Sequence, residues 1–431
     1  MKISEYGLAP VKIRKTDEIF KAQKHLIDSG QLIQFASGVF GLNVVPKKAL
    51  ENTVRLIKYV MDKHGLIEVE LPLIQPKEIW EASNRYKDYT ESETMLVTQT
   101  NQGEFCLAPT AEEAVVELAR YNLFSHKELP VTYYQIGPKF RNEIRNRGFM
   151  FRGKSFLMFD GYSFAKDTNS SEKIYMDIKK AYYEIFELLG LPVMAIAADP
   201  GQIGGSMSEE FMLLSPLGED TILYDEKTKV GLNTEILEYP NYEEILKEKY
   251  GIEDISTFKR VRSVELGHIF NLGKKYSESM NSTFTDENEE KQFFEMGCYG
   301  IGVTRLIACI YEYFSIKDDE GNLVSLNLPE IIAPYLVQIV ATEDKKEFAE
   351  DLYNDLEKKN IPSILDDRYS KISLGAKINE VKTFGTPYLA ILGDQNDDKI
   401  ELENIKTGEK QILSKNEFIE FFEKINNSRK Y

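Results

Sequence analysis

The chain has 431 residues, which is enough for two or three domains, and 42% of them are hydrophobic, which is ample for globular cores. Its formal net charge of −17 disfavours nonspecific binding of nucleic acid over the whole surface but still permits a local basic track. No run of roughly 18 apolar residues occurs, so we expect no membrane span. With three cysteines, no CxxC pair and four histidines, the composition argues against disulfides and zinc, and favours the cytoplasm.

The first part of the chain predicts helices and strands that carry no chemical motif. Residues 16–29 have a helical pattern, residues 33–46 predict a strand and a turn, and residues 66–72 alternate as a strand. Residues 88–109 predict paired short strands. A longer amphipathic helix is predicted over residues 47–64, stopped by Gly65, because four apolar residues recur at helical spacing: Leu50, Val54, Ile57 and Met61.

A further helix is predicted to begin at Thr110, whose hydroxyl suits an N-cap position. Glu112 and Glu113 fall in the first turn of this helix. Carboxylates at that position compensate the helix dipole, which is a sufficient explanation for them when no other evidence is considered.

The stretch from Tyr133 to Phe164 is the most distinctive in the chain. Two apolar, strand-like runs enclose a loop that is rich in arginine and glycine. Between Lys139 and Lys154 there are six basic residues and a single acid, Glu143, although the whole chain is strongly acidic. Positive charge concentrated in this way predicts the binding of a polyanion.

Two glycine-rich stretches follow. Residues 199–215, with glycines at 201, 204 and 205, suit either a backbone folded beside a ligand or a plain surface turn. Residues 293–314 predict a strand that runs into an apolar helix, with Arg305 near the start of the helix. Because the order of its glycines differs from a dinucleotide fingerprint, we expect close packing of the helix start against a ligand. These glycines are Gly297, Gly300 and Gly302.

The pattern changes after a linker at residues 317–333. Strands then alternate with helices, which predicts a βαβαβ module with a parallel core. A hairpin and a last helix complete this part of the chain.

Five residues from separate blocks together suit a bent ATP molecule. Guanidinium groups neutralise phosphate oxygens in a bidentate manner, an aromatic ring stacks on adenine, and a glutamate accepts from the adenine amino group. Taken singly, each arginine is better explained as a surface ion pair, and the aromatic residue as part of a core. The five residues are Arg141, Glu143, Arg152, Phe156 and Arg305.

These residues stand in blocks that resemble a known family. FRNEIR with a downstream Phe, and GIGVTR, resemble motifs 2 and 3 of the class II aminoacyl-tRNA synthetases, and the helix and strand ending at Pro72 resemble motif 1. The finer resemblance is to prolyl-tRNA synthetases of the bacterial type. The family's blocks occur here in its order: APTAEE, KFRNEIRNR, FLMFDGYSF, IGGSMSEEF, GEDTILY, ELGHIFNLGKKYS and MGCYGIGVTR. Near the C-terminus, APYLVQI and LDDR resemble the family's anticodon-binding domain.

The resemblance implies a fold and a reaction. The fold is an α+β catalytic domain at residues 1–330, with an antiparallel sheet flanked by helices, and a C-terminal α/β anticodon-binding domain with a mixed sheet at residues 331–431. L-Proline would react with ATP to give prolyl-adenylate, and the prolyl group would then pass to tRNA(Pro). Neither step needs a nucleophilic side chain, since positioning and charge stabilisation supply the acceleration. Mg²⁺ would arrive with ATP, without a metal site of the protein's own, and the enzyme would be a homodimer through helix 47–64.

The resemblance also implies roles for single residues. Arg141 would hold the α-phosphate and the proline carboxylate, and Arg141 and Arg305 would act in catalysis. Glu143 would read adenine, Phe156 would stack on it, and Arg152 and Arg305 would hold the outer phosphates. The residues implied in proline binding are Thr110, Glu112, Arg141, Asp160, Tyr162, His268 and Cys298. Those implied in tRNA binding are Arg145, Arg147, Lys154, Arg368 and Lys377, although a solvated surface charge explains the last two as well.

Two departures from the family pattern lead to expectations of their own. Ser155, Phe159, Gly161 and Glu209 differ from the usual residues, and the sequence leaves open whether they alter amino-acid specificity. Residues 234–264 are too few for the editing domain that many bacterial members carry there. We therefore expect the chain to form alanyl-tRNA(Pro) measurably and not to hydrolyse it.

Two alternative functions remain open at the level of sequence. Another class IIa ligase such as the threonyl enzyme would need zinc ligands, usually two histidines and a cysteine. A non-catalytic paralog serving as a regulatory or binding subunit would tend to lose the ATP arginines, whereas Arg141, Arg152 and Arg305 are all present. Exchange of labelled pyrophosphate into ATP, tested with proline and with other amino acids, separates these hypotheses.

Overall fold

The computed structural model describes most of the chain, namely residues 1–6, 18–198, 203, 205, 207–393 and 398–429. Thr16 of the first predicted helix and the glycines at 201 and 204 lie outside these residues. Two compact units form: one from residues 1–56, 147–151 and 307–431, and the other from residues 57–146 and 152–306. The division into domains at residue 330 stays a prediction.

The N-terminal residues form short elements and one long helix. These are α1 (Ile3–Tyr6), α2 (Lys21–Asp28), the antiparallel strands β1 (Leu32–Ala36) and β2 (Val39–Leu42), and α3 (Val44–Lys63). The predicted amphipathic helix is confirmed as α3, which begins three residues earlier than expected. Gly65 follows it with a positive φ of 79°, a conformation that favours glycine and ends a helix.

The second unit is built on a large sheet. Its elements in chain order are β3 (Ile67–Glu68), β4 (Ile74–Pro76), α4 (Lys77–Ala82), α5 (Tyr86–Glu91), β5 (Leu96–Thr100), β6 (Gly103–Leu107), α6 (Glu112–Asn122), β7 (Val131–Phe140), β8 (Ser155–Ala165), α7 (Thr168–Leu188), β9 (Val193–Ala197), β10 (Met207–Leu214), β11 (Asp220–Asp225), β12 (Val230–Asn233), α8 (Tyr242–Tyr250), β13 (Lys259–Gly273), α9 (Lys275–Ser279), β14 (Thr283–Thr285), β15 (Lys291–Phe293) and β16 (Glu295–Gly302). Helix α10 (Val303–Phe314) follows directly.

Nine of these strands form one sheet in the order β10-β9-β12-β11-β13-β16-β8-β7-β3, and β10 also pairs with β13. Every pair is antiparallel except β9 with β12 and β3 with β7. The predicted antiparallel sheet is therefore confirmed. Two smaller antiparallel sheets, β4-β6-β5 and β14-β15, accompany it. The expectation of strands throughout residues 88–109 is wrong at its start, because Asp88 belongs to helix α5.

Helices cover both faces of the large sheet. Side chains alternate along β8, so Phe159 and Tyr162 point to opposite faces. Phe159 meets Tyr182 of α7, with ring centroids 6.3 Å apart. Tyr162 instead lies in a core with Val115 of α6 and Cys298 of β16. The large sheet therefore separates a face packed on α7 from a face that receives the start of α6.

The connector at residues 234–264 is short. It holds a 3₁₀ turn at Thr234–Glu238, helix α8 and the first residues of β13.

The C-terminal residues form a smaller α/β arrangement. Its elements are β17 (Ile316–Lys317), β18 (Leu323–Ser325), β19 (Val337–Ala341), α11 (Lys346–Lys358), β20 (Ser363–Asp366), α12 (Leu374–Val381), β21 (Tyr388–Leu392), β22 (Ile400–Asn404), β23 (Lys410–Leu413) and α13 (Lys415–Ser428). The sheet order is β20-β19-β21-β22-β23. Strand β19 is parallel to β20 and β21, whereas the last two pairs are antiparallel, so the predicted mixed sheet is confirmed.

Among the helices of the described ranges, none combines the length and the apolar character needed to cross a bilayer.

Candidate active site

A row of residues crosses five strands of the large sheet. Strand register aligns Gln135 with Asp160, Asp160 with Gly300, and Gly300 with His268. His268 is in turn aligned with Glu210. A Cβ atom built on Gly300 would meet no other atom within 4 Å, so there is open space above the strand between Asp160 and His268. The row therefore lines a recess on the face that receives α6.

A second row of aromatic and thiol groups lies beside the first. Tyr162 is aligned with Tyr133 on one side and with Cys298 on the other, and Cys298 is aligned with Phe270. Phe270 stacks on His268, with ring centroids 3.8 Å apart and planes within 16° of each other. The second row thus holds the imidazole of the first in place.

The N-terminus of α6 is fastened to this surface. The backbone N–H of Ala111 donates to the hydroxyl of Tyr162 at 3.0 Å. The Thr110 hydroxyl donates to Glu112 Oε2 at 2.6 Å, and the Cys298 thiol lies 3.2 Å from Glu112 Oε1. Thr110 is therefore not the helix cap that we predicted: Ala111 occupies the N-cap position, and the Thr110 side chain bonds a carboxylate instead.

Glu112 and Glu113 are both fully buried and share one guanidinium, that of Arg85. Burial by itself would raise the pKa of Glu112, but Arg85 and the Thr110 hydroxyl lower it below the ordinary value. For Glu113, burial outweighs the opposing effect of Arg85, and the neighbouring Glu112 adds to it, so the pKa is raised. The pKa values of two acids in one helical turn are thus shifted in opposite directions.

Asp160 is held by three donors. Lys139 Nζ lies 2.6 Å from Oδ1, while Gln135 Nε2 and the Tyr162 hydroxyl donate to Oδ2 at 2.8 and 3.0 Å. Burial raises the pKa of Asp160, and Lys139 opposes that shift. Because Tyr162 also accepts from Ala111, Asp160 is connected to the start of α6.

Arg141 follows β7 and lies beside the same helix start. Its Nε donates to the carbonyl oxygen of Pro109 at 3.3 Å, and its guanidinium carbon is 5.2 Å from the ring centroid of Phe156. Glu143 is half-buried close by, with its N–H donating to the carbonyl of Arg141. Arg141 therefore lies beside Phe156 and beside Pro109, the residue before Thr110.

A carboxylate-rich group forms around β13. Strand β10 aligns Phe211 with Gly267 but Met212 with Glu265, so Leu266 is an extra, bulged residue. The bulge brings Glu265 to the face of His268, whose Nδ1 lies 3.1 Å from Glu265 Oε1.

Arg305, at the start of α10, donates to both the backbone oxygen and Oε2 of Glu265, each at 3.0 Å. Burial would raise the pKa of Glu265, but its bonds to His268 and Arg305 lower it to about 2. Burial and the nearby charge of Glu265 raise the pKa of Glu210 to about 9. Among the described residues, Glu210, Glu265 and His268 place donor atoms within 4.8 Å of one another, a geometry that could hold a metal ion.

The basic side chains of the loop between β7 and β8 have different surroundings. Arg152 pairs with Glu219 at 2.6 Å. The ammonium of Lys154 donates to the Asn142 side chain and to a backbone oxygen of the loop. Arg145 is exposed. Arg147 lies over the ring of Phe20, 5.7 Å from its centroid.

The two basic residues predicted to contact tRNA in the C-terminal unit have partners inside the protein. Arg368 donates to Asp366 and Glu380, each at a closest distance of 2.6 Å. Lys377 is fully buried, and its Nζ donates to the backbone oxygens of Ala341 and Asp366. The expectation that Lys377 meets tRNA is wrong for this conformation, because a nucleic acid cannot reach the ammonium.

The departures from the family pattern do not line the recess. Phe159 is packed in the face toward α7, and a Cβ on Gly161 would lie 3.2 Å from the Phe159 ring. Glu209 also bonds residues of α7, at 2.7 Å from Lys179 and 2.9 Å from the Tyr175 hydroxyl. Strand alternation turns these three residues to the face of the sheet that is packed on α7. Ser155 stands at the exposed start of β8.

Three residues of the site escaped the sequence reasoning. Arg85 belongs to none of the matched blocks, and Glu210 lies in the block IGGSMSEEF but was given no role; the roles of both depend on contacts with distant parts of the chain. Lys139 was counted as one of the loop's charges, although it is fully buried. Its position at even spacing from Gln135 on an apolar strand was the available signal, since that spacing puts both side chains on one face.

Comparison with known families agrees with this arrangement. Residues 89–314 match the family described as the tRNA synthetase class II core domain (G, H, P, S and T). Residues 335–425 match the family described as the anticodon binding domain. The fold and the site thus define a class II aminoacyl-tRNA synthetase.

Comparison with single proteins identifies the family within this class of synthetases. The chain is 37% identical to the proline--tRNA ligase of Ehrlichia chaffeensis, over 97% of this chain and 99% of that protein. It is 34% identical to the enzymes of Rickettsia bellii, over 96% and 97% of the two chains, and Sulfurimonas denitrificans, over 92% of each. The chain belongs to the proline--tRNA ligase family.

Solved structures show the same fold. Prolyl-tRNA synthetase from Cryptosporidium parvum, complexed with halofuginone and AMPPNP, superposes with a TM-score of 0.76 at 17% identity, covering 97% of this chain and 80% of that one. The same enzyme complexed with L-proline and AMP gives a TM-score of 0.74 at 18% identity, covering 98% and 78%.

Proposed function

We propose that this chain activates L-proline with ATP and transfers the prolyl group to tRNA(Pro). Membership of the proline--tRNA ligase family supports the overall reaction. The observation that carries the proposal is the contact of Arg141 with Pro109, because it brings a fixed guanidinium beside the carboxyl-bearing start of α6. A zwitterionic amino acid needs both charges, the cation for its carboxylate and the anion for its imino group.

In the first step a carboxylate oxygen of proline attacks the α-phosphorus of ATP, the adenylate bond forms, and pyrophosphate leaves. Arg141 binds the proline carboxylate and the α-phosphate, and neutralises the charge that develops between them. Phe156 stacks on adenine, Glu143 accepts from its amino group, and Arg152 and Arg305 hold the outer phosphates. Arg152 exchanges Glu219 for phosphate when ATP binds.

The imino group of proline is received at the start of α6. Glu112 Oε1 contacts the Cys298 thiol, which is a weak donor, whereas Oε2 accepts from Thr110 and Arg85. The protonated imino group displaces the thiol at Oε1. The other residues of the two rows, Asp160, Tyr162 and His268, line the recess above Gly300 that takes the ring.

In the second step the terminal ribose hydroxyl of tRNA attacks the acyl carbon of prolyl-adenylate, and AMP leaves. No side chain forms a covalent bond to a substrate in either step, so catalysis depends on the orientation of the substrates and on the stabilisation of charge. Arg145, which is exposed, meets the phosphates of the acceptor end together with Arg147.

Mg²⁺ accompanies ATP in this proposal. It would arrive on the phosphates of ATP, because the group of Glu210, Glu265 and His268 does not suit it as a resident site: burial raises the pKa of Glu210 to about 9, and Arg305 already pairs with Glu265. When bound, Mg²⁺ neutralises charge on the phosphates. The proposal also includes a homodimer through α3, a catalytic domain at residues 1–330 with an anticodon-binding domain at 331–431, and action in the cytoplasm, where tRNA is charged.

Pyrophosphate exchange tests the activation step. Purified protein is incubated with ATP, labelled pyrophosphate and each amino acid in turn, without tRNA. Label should enter ATP with proline and not with threonine. Exchange with threonine alone would favour the threonyl alternative, and a folded protein that exchanges with no amino acid would favour the non-catalytic paralog.

A further inference from the structure

Arg85, in the turn between α4 and α5, forms a buried cluster with two acids of α6. Its Nη1 lies 3.1 Å from Glu112 Oε2 and 3.0 Å from Glu113 Oε1. The side chain of Arg85 is 3% exposed and those of both acids are 0% exposed. The predicted site residues did not include Arg85, yet it touches the carboxylate to which proline binding was assigned.

Aromatic rings enclose the guanidinium. Its carbon lies 5.1 Å from the ring centroid of Trp80, 4.7 Å from that of Tyr89 and 5.2 Å from that of Tyr276. These rings exclude water and attract the cation through their faces. Charges in such a place are screened far less than on the surface, so the guanidinium acts strongly on both carboxyls.

The two acids differ in what else they bond. Glu113 accepts a hydrogen bond from the hydroxyl of Ser83, the C-cap residue of α4, at 2.6 Å. Glu112 instead bonds Thr110 and Cys298, which face the recess. One cation is therefore shared by an acid that borders the substrate site and by an acid that does not.

We propose that Arg85 is a positioning residue for the imino-binding site, which holds the Glu112 carboxylate charged and correctly oriented, while Glu113 balances the guanidinium and takes no part in binding. This inference rests on the proposed function, because it takes Glu112 as the receptor of the imino group. The direction of the pKa shifts agrees with it, since Arg85 lowers the pKa of Glu112.

The dependence of the KM for proline on pH can reveal this role, because it reports the protonation of Glu112. If the support of Arg85 is lost, the pKa of Glu112 rises, so the carboxylate takes up a proton at a higher pH and binds the imino cation less well. The KM for proline should then increase on acidification earlier than in the wild type, and recover at higher pH. Among the described residues, the charged and titratable groups that face Glu112 are Arg85, Tyr89, Glu113, Tyr162, Lys275, Tyr276 and Cys298.

The test compares three variants with the wild type in pyrophosphate exchange between pH 5.5 and 8.5. Arg85→Lys keeps the charge but replaces a guanidinium whose Nη1 contacts both acids and whose Nη2 donates to the Tyr89 hydroxyl by a single ammonium on a flexible stem. The double variant Arg85→Met with Glu113→Gln removes one charge of each sign, which limits the cost to folding. Glu113→Gln alone is the matched control. Thermal unfolding and the KM for ATP report whether each variant is folded.

We expect Arg85→Lys and the double variant to raise the KM for proline about tenfold or more, with little change in the KM for ATP. In the double variant, the pH below which the KM for proline increases should be about one unit higher than in the wild type. The KM of the Glu113→Gln variant for proline should stay within about threefold of the wild-type value. The inference is overturned if both Arg85 variants keep the wild-type KM for proline and its pH profile, or if Glu113→Gln weakens proline as much as they do. It is also overturned if proline and ATP weaken equally in a folded variant. A wild-type protein without proline-dependent exchange overturns the proposed function, and the inference with it.

Discussion

Lys139 Nζ lies 2.6 Å from Asp160 Oδ1, with both side chains buried beneath the recess of the large sheet. Removal of one partner of a buried ion pair leaves the other charge uncompensated. We therefore expect Lys139→Met to lower the free energy of unfolding by about 3–5 kcal/mol. Urea denaturation followed by fluorescence measures this directly, because the chain has a single tryptophan, Trp80, and it is buried in the same unit.

The double variant Lys139→Met with Asp160→Asn is the control for this pair. Since it removes both charges, it should recover part of the lost stability. A Lys139→Met variant within about 1 kcal/mol of the wild type would contradict a strong buried pair.

Gly300 separates Asp160 from His268 on the strand ladder. Because a Cβ there meets nothing within 4 Å, Gly300→Ala should fold normally but place a methyl group in the recess. We expect the KM for proline to increase about tenfold, the effect typical of one misplaced methyl group in a pocket. Gly375→Ala in α12, where a Cβ also meets nothing, should leave the KM unchanged. A Gly300→Ala enzyme with wild-type KM for proline would place the substrate ring elsewhere.

Arg141 and Arg147 both lie in the basic loop, but they should act in different steps of the reaction, activation of proline and transfer to tRNA. Arg141→Ala should lower pyrophosphate exchange by a factor of about 100 or more, because it removes the cation at the reacting phosphate. Arg147→Ala should leave exchange intact and slow only the transfer to tRNA. Both rates can be measured on the same preparations. An equal loss of pyrophosphate exchange in the two variants would show that Arg147 also acts in the activation of proline.

His25 should make the unit that contains α2 sensitive to acid. Burial lowers the pKa of this residue to about 4, whereas its ordinary value is 6.5. The unfolded form therefore takes up a proton before the folded form does, and stability is lost as the pH falls from about 6.5 through 4. The full effect is about 3 kcal/mol. Thermal unfolding at pH 7 and pH 5 should show a smaller difference for His25→Leu than for the wild type, and an unchanged difference would refute this explanation.

The sequence was informative wherever a local pattern determines the structure. Strand alternation around Asp160 and Tyr162, the helix ended by Gly65 and the alternation of strands and helices near the C-terminus are all present in the fold. Motif resemblance supplied Cys298 and Glu112, which are 186 positions apart yet in contact. Spacing alone cannot reveal such a pair.

The contacts that were missed depend on tertiary packing. A lysine in a short amphipathic helix is usually exposed, but Lys377 extends inward to backbone oxygens at the ends of two strands. The bulge at Leu266 decides whether Glu265 and His268 share a face, and no residue type marks it. Arg85 becomes part of the site only when α6 docks beside it.

Aminoacylation of tRNA is the most direct test of the proposed function. The purified protein is incubated with ATP, Mg²⁺, a mixture of amino acids and total tRNA, and the amino acid esterified to tRNA is released and identified. We expect proline, bound to tRNA(Pro), with release of AMP and pyrophosphate. A different amino acid on the tRNA, or uncharged tRNA with a folded enzyme, would contradict it.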